Sequence, residues 1–207
     1  MIVVVESNFV IEFAFRQAEF ADAEHIVILA EQRAIELAVP ACALFEPYET
    51  LVRRRKQRAE TVRKLRDEIT QLGRSQHFEK LPQTSEAISQ TLSGAAEVEH
   101  RALDEAIERL ANCSTVIPLS GAMLKASLSA RAQFALQPQD SIVFASVDHF
   151  LKERPGTRSV FANKNSADFS GPEIETYLEE MGCKLLSTFS NTRQYVESSL
   201  VPRTTAS

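Results

Sequence analysis

Four acids and one amide in this chain of 207 residues have the types and positions to do chemistry. Glu6 directly follows an apolar run, Ile2 to Val5. Glu46 stands shortly after Pro40, at the expected start of a helix. Asp140 opens a helical segment in the middle of the chain, and Asn165 and Asp168 follow an apolar run that ends at Ala162. Carboxylates gathered without cations resist ionisation unless something positive sits among them. A hard divalent cation, Mg²⁺ or Mn²⁺, answers that need because both prefer oxygen ligands. Such ions activate a water and stabilise a departing oxygen, which is what phosphodiester cleavage requires. Each acid also has a plainer reading. Asp140 and Glu46 would suit helix N-termini by their charge. Asp168 would serve a turn before Ser170 caps the next helix. Joint placement carries the chemical reading, not any one residue.

The elements that would position these residues alternate along the chain. Residues 2–5 are a β-branched run suited to a strand buried on both faces. Helices are expected over 8–20, with an aromatic face at Phe9, Phe13 and Phe20, and from an Asp22 cap to Leu37. A very short strand is expected at 38–40. A third helix runs from about Glu46 to a C-cap at Gly73, and another over 85–112, together forming an antiparallel hairpin. Further on come a strand at 115–118, helices over 120–134 and 140–152, and a strand at 159–162. A helix from Pro172 to Met181 and a last strand over 184–189 complete the series. This order implies an α/β fold with a mostly parallel sheet. In open parallel sheets, sites form beyond the carboxyl ends of the strands, where these acids would fall. One domain over 1–192 is expected, with the hairpin inserted at about 50–112 and a loose tail at 193–207.

The acids and their neighbours resemble the PIN-domain nucleases. The first strand of that family ends in Asp, then Ser or Thr, then Asn. Here Val3-Val4-Val5-Glu6-Ser7-Asn8 reads the same with Glu for Asp. The family's second acid is a Glu shortly after a Pro at a short strand, as in Val39-Pro40-Ala41-Cys42-Ala43-Leu44-Phe45-Glu46. Its third acid opens a helix, as in Asp140-Ser141-Ile142-Val143-Phe144-Ala145. Its last motif is an apolar strand followed by polar residues and Asp-Phe, as in Val160-Phe161-Ala162-Asn163-Lys164-Asn165-Ser166-Ala167-Asp168-Phe169. The resemblance covers residues 1–50 and about 114–190. It implies a three-layer α/β/α fold and a metal-dependent endoribonuclease. Glu6, Glu46, Asp140 and Asp168 would be catalytic. With Asn165 they would hold Mg²⁺ or Mn²⁺, and Asn8 would face substrate. Some members of the family are toxins held by an antitoxin. Two positions depart from the pattern. Glu6 reaches one methylene further than Asp, and neutral Asn165 removes one negative charge from the site.

Charge distribution adds a second feature. Lys and Arg number 23 against 28 Asp and Glu, a net charge of -5, which by itself argues against a nucleic-acid partner. Yet Arg53, Arg54, Arg55, Lys56, Arg58, Arg63, Lys64 and Arg66 fall within residues 51–66 beside a single acid, Glu60. That segment carries +7 and the rest of the chain -12. Arg53, Arg54, Arg55, Lys56 and Arg58 lie close after Glu46 and would hold the backbone of an RNA strand. Acids of the second hairpin helix, such as Glu97, Glu99, Asp104, Glu105 and Glu108, compete for them. Two further readings stay open: a catalytically weakened PIN-like module that binds nucleic acid or protein, and a hairpin interaction protein whose α/β body is a scaffold. Expected partners are RNA, a protein such as an antitoxin, or a second copy.

Other classes fall away. Glycine is scarce, and no G-x-G-x-x-G, P-loop or G-x-S-x-G is present. Cys42, Cys113 and Cys183 are too far apart for a zinc ribbon and read as reduced thiols of a cytoplasmic protein. His25, His77, His100 and His149 have no metal-ligand spacing. The Phe residues read mostly as core.

Overall fold

The computed structural model describes residues 1–78, 81–164, 169 and 171–200. The strands are β1 (Ile2–Val5), β2 (Glu36–Pro40), β3 (Ser114–Ile117), β4 (Ser159–Ala162) and β5 (Cys183–Leu186). They form one sheet of order β3-β2-β1-β4-β5, and every pairing is parallel. The helices among the described residues are α1 (Ser7–Ala14), α2 (Phe20–Glu31), α3 (Ala41–Leu72), α4 (Leu81–Cys113), α5 (Gly121–Phe134), α6 (Pro138–Lys152), α7 (Pro172–Glu180) and α8 (Phe189–Leu200). No helix among the described residues is long and apolar enough to cross a membrane.

Period-two alternation divides the core. Val3 and Val5 of β1, Leu37 and Val39 of β2 and Ala162 of β4 pack with α1, α2, α8 and the base of the hairpin. Ile2, Val4, Ala38 and Phe161 point the other way and pack with α5, α6 and α7. Both faces of the sheet are therefore covered by helices, which is why its central strands are continuous apolar runs.

The chain builds β1, β2 and β3 toward one edge, then crosses back to place β4 on the other side of β1. The order of strands thus reverses between β1 and β4. In open α/β sheets such a switch point opens a crevice beyond the carboxyl ends of the strands. Glu6 leaves β1 at that end, and Asn163 leaves β4 beside it, because Val5 is in register with Ala162.

The α3–α4 hairpin is antiparallel, since Arg58 meets Glu99 while Tyr48 meets Asp104. Its base is anchored by Leu51, Leu103 and Leu110, which are buried in the first core. With 32 residues, α3 extends about 48 Å at 1.5 Å per residue, well beyond the sheet.

Several boundaries differ from the sequence expectations. The helix expected from Glu46 begins at Ala41 instead, because Pro40 ends β2 and stands as N-cap. Glu46 therefore sits in the second turn, and its helix-dipole role is removed. The 8–20 helix stops at Ala14, with Arg16 at φ 47, and Phe20 opens α2. Asp22 does not cap α2; Glu19 holds that position, and Asp22 accepts from Arg193 at 3.4 Å. Gly171 precedes α7 as N-cap, and Ser170 lies outside the described residues. The last strand ends at Leu186, and Phe189 starts a helix instead. Residues 193–200, expected as loose tail, belong to α8. Its Phe189, Thr192 and Val196 recur at helical spacing and are buried, so they anchor the helix on the first core.

Candidate functional site

Glu6 is the N-cap of α1, with extended backbone at φ -125 and ψ -171. Its Oε2 accepts from the backbone N–H of Asn8 at 3.0 Å and from the hydroxyl of Ser7 at 2.9 Å. Capping accounts for one oxygen only. Oε1 is buried and has no hydrogen-bond partner among the described residues. An orphaned carboxylate oxygen inside a protein is costly, and either a proton or a bound cation relieves that cost.

The acidity of Glu6 reflects that environment. Burial pushes its pKa up from 4.5 to about 7; the bonds from Asn8 and Ser7 oppose the rise, and the charge of Glu46 adds to it. Glu46 is half-buried and is also raised. Desolvation is the main cause there, Ser7 opposes it by hydrogen bonding, Glu49 adds to it, and Arg53 opposes it. Ser7 thus stands between the two carboxyls. Its hydroxyl has one proton to donate, and the geometry directs it to Glu6. Cys42 lies one turn before Glu46 on the same helix face; burial raises the thiol's pKa, and the charge of Glu46 adds to the rise.

The structure brings Glu6 and Glu46 together. Asn8 joins them, but as a support: its backbone and side-chain amides both favour the charged form of Glu6. Asp140 sits in the first turn of α6. Beyond the far end of α6, Arg154 pairs at 3.6 Å with Glu36, the first residue of β2. The C-terminus of α6 is therefore at the amino edge of the sheet, and its N-terminus, with Asp140, points to the carboxyl edge. Asn165 and Asp168 lie outside the described residues. Among the described residues, no group of three or more His, Cys, Asp or Glu side chains is gathered to hold a metal ion. Glu6 and Glu46 are a pair.

Two polar residues of this edge went unremarked in the sequence. Asn163 is buried directly after β4, beside Glu6 in the strand register. The signal was its position as the first polar residue after a buried strand. Lys164 follows it, with Nζ 2.9 Å from Oε2 of buried Glu12 and 3.5 Å from Oε1 of Glu19. Those two acids occupy the lysine that stands within the expected last motif.

The basic helix is divided by the fold. Arg58 gives a two-pronged bond to Glu99 at 2.7 and 2.6 Å, so it braces the hairpin and is not free for substrate. Arg54 lies over the ring of Phe15 at 5.8 Å. Arg53, Arg55 and Lys56 are exposed and form no ion pair with another described residue. Phe45 departs from the expectation of core phenylalanines: it is 64% exposed, directly beside Glu46.

No family model, curated protein or solved structure matches the chain.

Proposed function

We propose that this chain is a metal-dependent endoribonuclease of PIN-like, three-layer architecture that hydrolyses RNA phosphodiester bonds. The observation that carries the proposal is the Glu6–Glu46 pair: two desolvated carboxyls, one with an orphaned buried oxygen, at the switch point of a parallel sheet. The donor set fits Mg²⁺ or Mn²⁺, since it consists of hard oxygens with no fixed cation against Glu6 among the described residues. Glu6 and Glu46 would hold the ion, with Asp140 nearby on the same edge and Asn165 and Asp168 added by resemblance. A bound divalent ion supplies an ionisable water and positive charge for the leaving oxygen.

The chain's own groups set the conditions. Burial raises the energy of the Glu6 carboxylate, and the same low dielectric strengthens its attraction for a cation. Ser7 and the Asn8 amide fix the orientation of Glu6, leaving buried Oε1 as the oxygen without a bond among the described residues. Arg53 contributes positive charge toward Glu46, where a phosphate would approach.

The test pairs cleavage with binding. Single-stranded RNA is incubated with Mn²⁺ and wild type, Glu6→Gln, Glu46→Gln or Asp140→Asn, and Mn²⁺ binding is followed by calorimetry. Loss of cleavage in all three variants, with weaker Mn²⁺ binding in Glu6→Gln and Glu46→Gln, is expected. Equal cleavage by wild type and Asp140→Asn would sink the assignment. Absence of Mn²⁺ binding at millimolar concentration would instead favour a PIN-like module that acts by binding alone.

A further inference from the structure

We infer that the base of the α3–α4 hairpin is a stacking platform for single-stranded RNA, leading away from the Glu6–Glu46 site. The inference rests on the proposed RNA-directed function and names the form of the substrate. Phe45 and Tyr48 are one helical turn apart, with ring centroids 6.2 Å apart and planes inclined by 25°. His100 of α4 continues the row, its ring centroid 5.3 Å from that of Tyr48. Asp104 fixes both inner rings. It accepts from the Tyr48 hydroxyl, and its Oδ2 lies 3.2 Å from Nδ1 of His100.

Solvent reaches this row. Besides the open face of Phe45, Tyr48 borders a depression of about 490 Å³ that also takes in Arg53 and Lys56. It borders a second, of about 250 Å³, with Arg55 and His100. Exposed rings offer faces to bases, and unpaired cations beside them offer contacts to phosphates, the combination that binds single strands without reading sequence. From Phe45 to Lys56 the helix rises about 16 Å at 1.5 Å per residue, room for a short length of strand. Glu49 and Glu97 border the same surface. Arg53, Arg55 and Lys56 outnumber them, and Glu60 is held by Lys64 at 2.9 Å. A duplex keeps its bases stacked inside and gains nothing from the rings. Val52, 56% exposed, lines both depressions, and the cations at their rim favour an anionic strand over an apolar protein face.

Binding is measured by fluorescence anisotropy with a labelled single-stranded oligoribonucleotide in EDTA, so that no cleavage intervenes. Phe45→Ala should weaken binding by roughly 5- to 100-fold, the effect of losing one base–aromatic stack. The triple variant Arg53→Gln, Arg55→Gln, Lys56→Gln should flatten the slope of log affinity against log salt by about 2, at roughly 0.7 per phosphate contact. Lys125→Gln, exposed on α5, should bind as wild type, and a duplex of the same sequence should bind more weakly. Phe45→Ala binding within twofold of wild type would overturn the platform. So would duplex bound as tightly as single strand. A change of oligomeric mass by light scattering, with RNA affinity intact, would assign the face to a second copy. The two proposals fail separately: RNA binding without Mn²⁺-dependent cleavage removes only the nuclease, and cleavage that ignores Phe45 removes only the platform.

Discussion

Replacing Glu6 by Gln tests the electrostatics of the site without substrate. The carboxyl of Glu6 is pushed from 4.5 to about 7 in the folded chain. At about 1.4 kcal/mol per pKa unit, the folded state favours the protonated form by about 3 kcal/mol more than the unfolded state does. The sign follows from proton counting. Between pH 4.5 and about 7 the native state keeps a proton that the unfolded chain has lost, so stability falls as pH rises through that window. Above that window the loss is complete. Glu46 is shifted in the same direction. Glu31 and Glu99 are lowered by Arg109 and Arg58, and their contributions are instead lost toward acid. Those groups remain in the variant and cancel in the difference. Urea unfolding in EDTA from pH 5 to pH 8, at constant m, gives the comparison. The wild type should lose about 2.5 kcal/mol relative to Glu6→Gln across that range. Gln places an amide at the orphaned oxygen, which adds an offset of about 1–3 kcal/mol that does not vary with pH. Mn²⁺ should flatten the wild-type slope and leave the variant unchanged, because a cation favours the charged carboxylate. Parallel curves for wild type and variant in EDTA, within about 0.5 kcal/mol, would refute the reasoning that burial controls this group.

Three further outcomes follow from packing. Leu103→Ala removes a fully buried side chain at the base of the hairpin and should cost about 2–5 kcal/mol in chemical denaturation. Phe189→Ala should cost about 3–5 kcal/mol and release α8, read as lost protection of residues 189–200 in hydrogen exchange, since Phe189 meets Phe9 edge-to-face at 5.1 Å. A double-mutant cycle on Arg58 and Glu99 should give a coupling of about 0.5–1 kcal/mol that shrinks in high salt, because both side chains keep contact with water.

Much of the fold was legible in the chain because its signals are local. The β-branched run at Ile2–Val5, the Ser120 cap of α5 and the turn at Gly182, which adopts φ 74, each act within a few residues. The helix before Gly73 and the helix after it show the same locality, since period and breakers alone marked the hairpin. The start of α3 was misread because Glu46 looked like a first-turn acid, while Pro40 held the boundary. The helix at Phe189–Leu200 was missed because its sequence is mostly polar, with three buried positions supplying its face.

Local residue patterns specify the alternation of strands and helices, the long helical hairpin and the acid directly after the first strand. Each is written in neighbouring residues. Tertiary contacts were needed for the reversal of strand order beside β1, the meeting of Glu6 with Glu46 through Ser7, and the raised pKa of Glu6. They also decided that Arg58 is taken by Glu99, 41 residues away, while Phe45 stays in water. The reason is physical. Desolvation and pairing depend on what the rest of the chain brings near a side chain, and no periodicity within a segment carries that information.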